Sequence, residues 1–476
     1  MSRFFLRRGL ALAAAIVTTP VAAETGIPAS QAGVQTVPYN AMGEKCGEVT
    51  ASSAVLHTRL TAVPQGRLGQ AIPGAVGRVR FEYATNPQFT GSQLTRWQTT
   101  RAEDDFTAKV HLSGLKPLTR YYYRVRISDL AGSRERVGPV RQFKTAPPPD
   151  LLAPVRFAAI TGQYFGHRDS DAGFFSYQRM LEVGIDFIVL TGDNVYYDRL
   201  GRDVPTARMH WHRMYGLPML VDFFAQVPGY WQKDDHDYRF NDADPYRRFR
   251  LPAPTHQQGI KIFLEQHPIE SPTYRTRRWG KGLQIWLVEG RDYRSRNTLA
   301  DGPNKTIWGS QQKAWLKRTL LGSDALFKVL ISPTPMVGPD YAKKRDNHVN
   351  PRGFRHEGSE FFEWLAANDV KNFFIVCGDR HWRYHSIHPT GYHEFCTGAL
   401  SDAHMLVYDP ARLDGPIPGT RVVYGNDRPV GGFLLVRFEP GDSPARCRLI
   451  FEHHTWTGQI EHRATFRYRP TQPEKD

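Results

Sequence analysis

Cysteine is scarce in this 476-residue chain: Cys46, Cys377, Cys396 and Cys447 are too few and too scattered for a disulfide scaffold or a zinc ribbon. One bridge, Cys396 with Cys447, stays open, and Cys377, at the end of an apolar run, reads as a buried core thiol. Beyond the first two dozen residues no apolar run is long enough to cross a bilayer, which excludes a transmembrane helix in the mature chain. There is no glycine-rich nucleotide loop, no serine nucleophile elbow, no internal repeat and no low-complexity tract. Acidic residues are outnumbered, 47 against 62 basic ones, leaving a net charge of +15. The excess is dispersed in short groups such as Arg275-Thr-Arg-Arg278 and Lys343-Lys-Arg345, with no basic helix and no nucleic-acid-binding motif. Such a surface attracts small anionic esters or anionic envelope polymers.

What is present fits an exported globular protein. Arg3, Arg7 and Arg8, an apolar stretch from Leu10 to Val17 and the small residues Val21-Ala22-Ala23 read as a signal peptide over residues 1–23. The Arg7-Arg8 pair suits the twin-arginine route, a general secretory signal fits the same residues, and a signal anchor is a third reading that Pro20 disfavours. The expected location is periplasmic or secreted. At 476 residues the chain exceeds one ordinary core, so more than one domain is expected.

After an N-terminal segment, 24–43, residues 44–147 show short alternating runs, among them Arg78 to Tyr83 and Thr107 to Leu112, that predict an all-β sandwich. The stretch from Leu112 to Val125, with its Gly-Leu-x-Pro-x-Thr-x-Tyr order, resembles the corner of a fibronectin type III domain, where a tyrosine hydroxyl bonds back to upstream backbone. Residues 148–155, after Pro147, form a proline-rich linker. From 156 to 468 apolar strands alternate with helices: Arg156 to Ile160, a helix capped by Asp171 and stopped by Gly184, then Ile185 to Leu190, with further strands at Leu283 to Val288, Phe327 to Ile331 and Phe373 to Cys377. Helices are predicted over Ser310 to Leu321 and Ser359 to Asn368. The fold class is α/β (α+β), mixed sheets flanked by helices and preceded by the sandwich, with a tail over 469–476.

Three apolar strands run into acidic or histidine clusters: Gly192-Asp193 with Tyr196, then Asp234-Asp235-His236-Asp237, then Gly378-Asp379-Arg380-His381. Any one alone is an ordinary turn. In open α/β sheets, however, sites form at the carboxyl ends of strands, so the three can converge. Clustered carboxylates suit hard cations, and histidine beside them suits a transition metal.

These blocks, in their order and spacing, resemble the metal-site blocks of the alkaline phosphatase D (PhoD-like) family of metallophosphoesterases. Flanking text from Met209 to Tyr215, Gln311 to Leu316, and Glu394-Phe395 with Ser401 agrees. The resemblance implies an iron- and calcium-dependent hydrolase of phosphate mono- or diesters, with hydroxide attack on phosphorus at a metal centre; another divalent metal also fits. By the same resemblance Asp193 bridges two metals, Tyr196 offers a phenolate to a ferric ion, Asp235 and Asp379 bind the second cation and His381 completes the first site. His236 would hold a phosphoryl oxygen or protonate the leaving alkoxide. Arg380 would contact phosphate, a surface salt bridge being its other reading. The substrate is expected to be a phosphate ester, with an envelope phosphopolymer or phospholipid among the choices.

One departure stands out. Where the family carries a cysteine before a glutamine, this chain has Gly162-Gln163, so the first metal position falls to Gln163, His167 or Asp169, to a different ion, or to none. Asn194 and Tyr197 also differ. The alternative is a catalytically altered relative that binds an anionic envelope polymer.

Overall fold

A computed structural model describes residues 36–470 except 199, 249 and 414–415. The expected signal peptide, most of the N-terminal segment and residues 471–476 of the tail lie outside the described residues. Among the described residues no helix is long and apolar enough to cross a membrane.

Two large sheets face each other. The first runs Ile460–Arg467, Arg448–Thr455, Gly432–Glu439, Val155–Ile160, Phe187–Thr191, Gly229–Gln232, Glu44–Gly47, Ser53–Arg59, Thr107–Ser113. The second runs Arg275–Trp279, Leu283–Leu287, Phe327–Ser332, Phe373–Cys377, His393–Thr397, Arg383–Ile387, Arg421–Gly425. Their central strands pair in parallel, as the near-continuous apolar text requires of strands buried on both faces. Alternate residues point opposite ways. Phe157, Ala159, Phe187 and Val189 therefore meet Ile285, Val329 and Val376 of the facing sheet, while Ala158, Ile160, Ile188 and Leu190 turn outward. That outer face is covered by helices Phe175–Val183, Val204–Tyr215 and Pro218–Phe224 through Tyr177, Trp211 and Phe223. Helices Gly309–Leu321 and Arg355–Ala367 cover the second sheet through Leu316 and Phe361. The result is helix, sheet, sheet, helix.

The N-terminal β region is built as expected, with one addition. Strands Arg78–Ala84 and Arg120–Ser128 centre a separate small sheet, and Tyr121 Oη accepts a 2.9 Å bond from the Lys116 amide, the tyrosine corner read from the sequence. Its opposing strands, however, continue the first large sheet, because Gly47 pairs in parallel with Gly229. A side chain at Gly47 would put its Cβ 2.7 Å from the Gly229 carbonyl oxygen and 2.9 Å from Trp231, so this junction needs glycine.

Two local expectations fail and one open question closes. Helix Phe175–Val183 is capped by Asp169, whose Oδ2 accepts from the Phe175 amide at 2.9 Å, whereas Asp171 pairs with Arg168; Gly184 is the left-handed stop. Helix Arg355–Ala367 begins before Ser359 because Glu357 in its first turn points inward, accepting from the Ile307 amide at 2.7 Å. No bridge joins Cys396 to Cys447, since all four cysteines are free and buried.

Candidate metal centre

The site lies where both sheets end. Strands Val155–Ile160, Phe187–Thr191 and Gly229–Gln232 of one sheet and Phe373–Cys377 of the other deliver Gly162, Asp193, Asp235 and Asp379 just past their last residues. Two glycines permit this. A Cβ on Gly192 would fall 2.5 Å from Asp234 Cβ, and one on Gly378 would fall 2.3 Å from Thr191 Oγ1 and 3.0 Å from Thr161 Oγ1. The aspartates that follow, Asp193 and Asp379, both take left-handed backbone, φ 55° and 65°, a strained choice of the kind retained at functional sites.

Asp193, Tyr196 and His381 come together. Asp193 Oδ2 accepts from Tyr196 Oη at 3.1 Å and lies 3.2 Å from His381 Nε2, which is itself 3.1 Å from Tyr196 Oη. Asp193 Oδ1 is buried with no hydrogen-bond partner. Burial, reinforced by Asp235, Asp237 and Asp379, drives the Asp193 carboxyl well above the usual range, against the pull of His236. Burial and Asp193 raise the Tyr196 phenol likewise, and burial keeps the His381 imidazole neutral. A cation among these atoms reverses that logic, stabilising carboxylate and phenolate together.

His236 is positioned by Asp198, whose carboxylate oxygens lie 2.8 and 3.0 Å from its Nδ1. Burial works against charge on this ring, but Asp235, Asp193 and Asp198 outweigh it and hold its pKa well above that of a free imidazole. The ligand atoms of Asp193, Asp235 and His236 lie within 4.8 Å of one another. So do those of Asp235, Asp242 and Asp346, a second and wholly carboxylate set. Asp235 belongs to both. Asp242 and Asp346 carried no readable signal, coming from loops with no preceding apolar strand. Lys344 touches Asp242, and Arg291 reaches Asp346 at 3.5 Å, so this set already carries counter-charge.

Asp379 lies against the Arg380 guanidinium, which also reaches Asp340 at 3.5 Å. Burial pushes the Asp379 carboxyl up to about 7, with Arg380 pulling the other way and Asp346 adding to the rise. Arg380 is thus a buried ion-pair partner, which corrects the surface salt-bridge reading. The remaining aspartates of the second block are structural: Asp234 binds Arg291 at 2.5 Å, and Asp237 accepts from the Asn194 amide and side chain at 3.0 and 2.6 Å. Tyr197 accepts from Trp211 Nε1 at 2.5 Å, and Glu394 accepts from the Met336 and Gly338 amides, so these residues pack the loops.

Of the three side chains open to the first position, Gln163 is spent on Asn194 O and Tyr177 Oη, and Asp169 on its helix cap. His167 alone reaches the cluster, through His404, a residue that sequence reasoning missed. His404 Nε2 lies 2.9 Å from Tyr196 Oη, and its Nδ1 lies 3.0 Å from His167 Nδ1. A lone histidine in an irregular loop has no spacing to mark it. The loop reaches the site because Ala399 bridges Thr161 across the two sheets and Asp402 is pinned by the Gly431 amide at 2.7 Å.

Known proteins share this architecture. The family model described as PhoD-like phosphatase matches residues 157–413, more than half of the chain, and that for the PhoD-like phosphatase N-terminal domain matches residues 29–147. Alkaline phosphatase D of Bacillus subtilis (strain 168) is 24% identical over 407 residues, which cover 71% of this chain and 64% of that protein. The chain therefore spans less than two thirds of that relative's length. A solved structure of PhoD superposes with a TM-score of 0.70 at 18% identity, covering 90% of this chain and 88% of the other. Purple acid phosphatase PPD1 from yellow lupin (Lupinus luteus) seeds gives 0.59 at 10% identity, covering 91% and 77%. Both share the fold.

Proposed function

The chain belongs to the PhoD-like phosphatase family, and from that premise we propose that it is an exported, metal-dependent hydrolase of phosphate mono- or diesters. The observation that carries the proposal is the convergence of Asp193, Asp235 and His236 at the carboxyl ends of adjacent strands, beside a buried carboxylate oxygen that has no protein partner. Such an oxygen costs several kcal/mol in isolation, roughly 1–3 for an unpaired polar atom and more for a charged one, so a cation suits it.

The residues divide the labour. Asp193, Tyr196 and His381 offer oxygen and nitrogen donors that would hold iron or a similar borderline ion, whereas Asp235, Asp242 and Asp346 offer only oxygens and would hold calcium. When bound, the metals supply charge neutralisation at phosphorus and lower the pKa of attacking water. His236, protonated and oriented by Asp198, would donate its Nε2 proton to the leaving alkoxide. Arg380 acts as a positioning residue that holds Asp379 and balances the acidic set. A cavity of about 290 Å³ beside Asp242 and Asp346, lined also by Arg247, Arg296, Lys343 and Arg345, would take an anionic extension of the ester, as a phosphopolymer or phospholipid headgroup provides.

Elemental analysis of the mature protein, run beside hydrolysis of a chromogenic phosphate monoester and diester, tests the reading. Stoichiometric iron or calcium with turnover is expected. A metal-free, inactive protein that cannot be reconstituted would overturn it in favour of polymer binding. Export is tested by the mass of the protein recovered outside the cytoplasm, expected to begin after Ala23.

A further inference from the structure

We propose that His404 is a ligand of the first metal, oriented by His167, so that this position is held by nitrogen and oxygen donors alone. The inference rests on the metal-centre reading above. Donor atoms from three separate segments meet around Tyr196 Oη: Asp193 Oδ2 from its own loop, His381 Nε2 and His404 Nε2 lie 3.1, 3.1 and 2.9 Å from it. Separations near 3 Å between donors are what the coordination shell of a small ion leaves, since bonds of about 2.0–2.2 Å set adjacent octahedral ligand atoms about 3 Å apart and tetrahedral ones about 3.4 Å apart.

The bond to His167 admits the tautomer a ligand needs. A bond between the two Nδ1 atoms of His404 and His167 needs a proton on one of them, and with that proton on His404 its Nε2 lone pair faces the cluster. A metal-bound imidazole is commonly fixed by such a bond on its other nitrogen. His404 is half-buried beside Tyr164, Tyr196 and His381, its ring centroid 4.1 Å from that of His381.

Gly162 makes the room. A Cβ at this position would stand 3.1 Å from His381 Cδ2 and 3.3 Å from His404 Cδ2, so any side chain there would press on both imidazoles. The missing side chain at 162 and the presence of a histidine at 404 are two halves of one arrangement.

The test is cobalt(II) uptake by the metal-stripped full chain, followed by stoichiometry and by visible d–d absorption, in the parent and in His404→Ala, His404→Gln, His167→Ala and Asp193→Asn, with circular dichroism to confirm folding. The parent is expected to show cobalt absorption without a sulfur-to-cobalt charge-transfer band. His167→Ala should weaken cobalt affinity about 10–100-fold, the usual cost of losing a ligand's hydrogen-bond partner. Both His404 variants should weaken it further and change the spectrum. Parent affinity and spectrum in the folded His404→Gln protein, with binding lost in Asp193→Asn, would overturn this assignment and leave the metal-centre reading intact. No cobalt uptake by the parent would overturn both.

Discussion

Asp193 combines a left-handed backbone, full burial and one oxygen with no partner, three costs that an ordinary turn has no reason to carry together. Asp193→Asn should therefore leave the fold intact while metal uptake, read by elemental analysis, is lost; normal occupancy would sink the assignment. His236→Ala tests the acid role through chemistry. General acids contribute about 10²–10⁴-fold, so kcat should fall by that order for an alkyl phosphate ester but much less for a nitrophenyl ester, whose leaving group needs no proton. Equal losses on the two substrates would assign His236 to binding instead. Gly378 is a purely steric matter: Gly378→Ala drives a methyl into Thr191, Thr161 and the Pro333 carbonyl oxygen. Overpacking of this kind costs about 1–3 kcal/mol, visible as a lower Tm.

At the scale of elements, the strands that aim the site were legible because burial on both faces leaves an uninterrupted apolar signature, as at Phe187–Thr191 and Phe373–Cys377. Their terminal aspartates were legible for the same reason, standing out against that text. What escaped notice is what irregular backbone brings in. His404, Asp242 and Asp346 sit on loops placed by bridges and buried ion pairs between segments far apart in sequence, which leave no periodicity. Nor did the run Glu44-Lys-Cys-Gly47 announce that it carries the sandwich strands into the first large sheet, since all four residues are buried though two are charged. That junction is closed by Glu48, whose carboxylate takes Arg275 at 2.6 and 2.8 Å and also contacts Arg277. Burial opposes charge on Glu48, but the two arginines prevail and hold its pKa below the usual value. Removing one partner of such a pair strands the other, so Glu48→Ala should cost about 3–5 kcal/mol in urea unfolding. A loss under 1 kcal/mol would show that the junction is held by packing alone.

For the molecule as a whole, the contact between the β-sandwich strands and helix His256–Gln266 is polar in an unusual way. The carboxyl end of helix His256–Gln266 is met by three basic side chains from the sandwich strands: Lys45 donates to the Gln266 carbonyl, Lys109 to those of Leu264 and Ile269, and the His57 ring lies 2.9 Å from that of Glu265. Cations complement a helix carboxyl end, yet burial opposes the charge. Burial, then the nearby Lys109, lowers Lys45 to about 7, and burial lowers Lys109 to about 8. An unfolded lysine keeps its proton to about pH 10.4. Between about pH 7 and 10 the unfolded chain thus binds more protons than the folded one, and stability must rise with pH across that window, by up to about 1.4 kcal/mol per unit for each lysine. The contribution is fully present above the unfolded pKa and is lost as pH falls through the folded one. In Lys45→Met this slope should be shallower than in the parent by up to one lysine's share, measured as the urea midpoint from pH 7 to pH 9.5. Parallel profiles for the two proteins would mean that Lys45 stays charged in the fold, its ammonium held by the helix end more strongly than burial expels it.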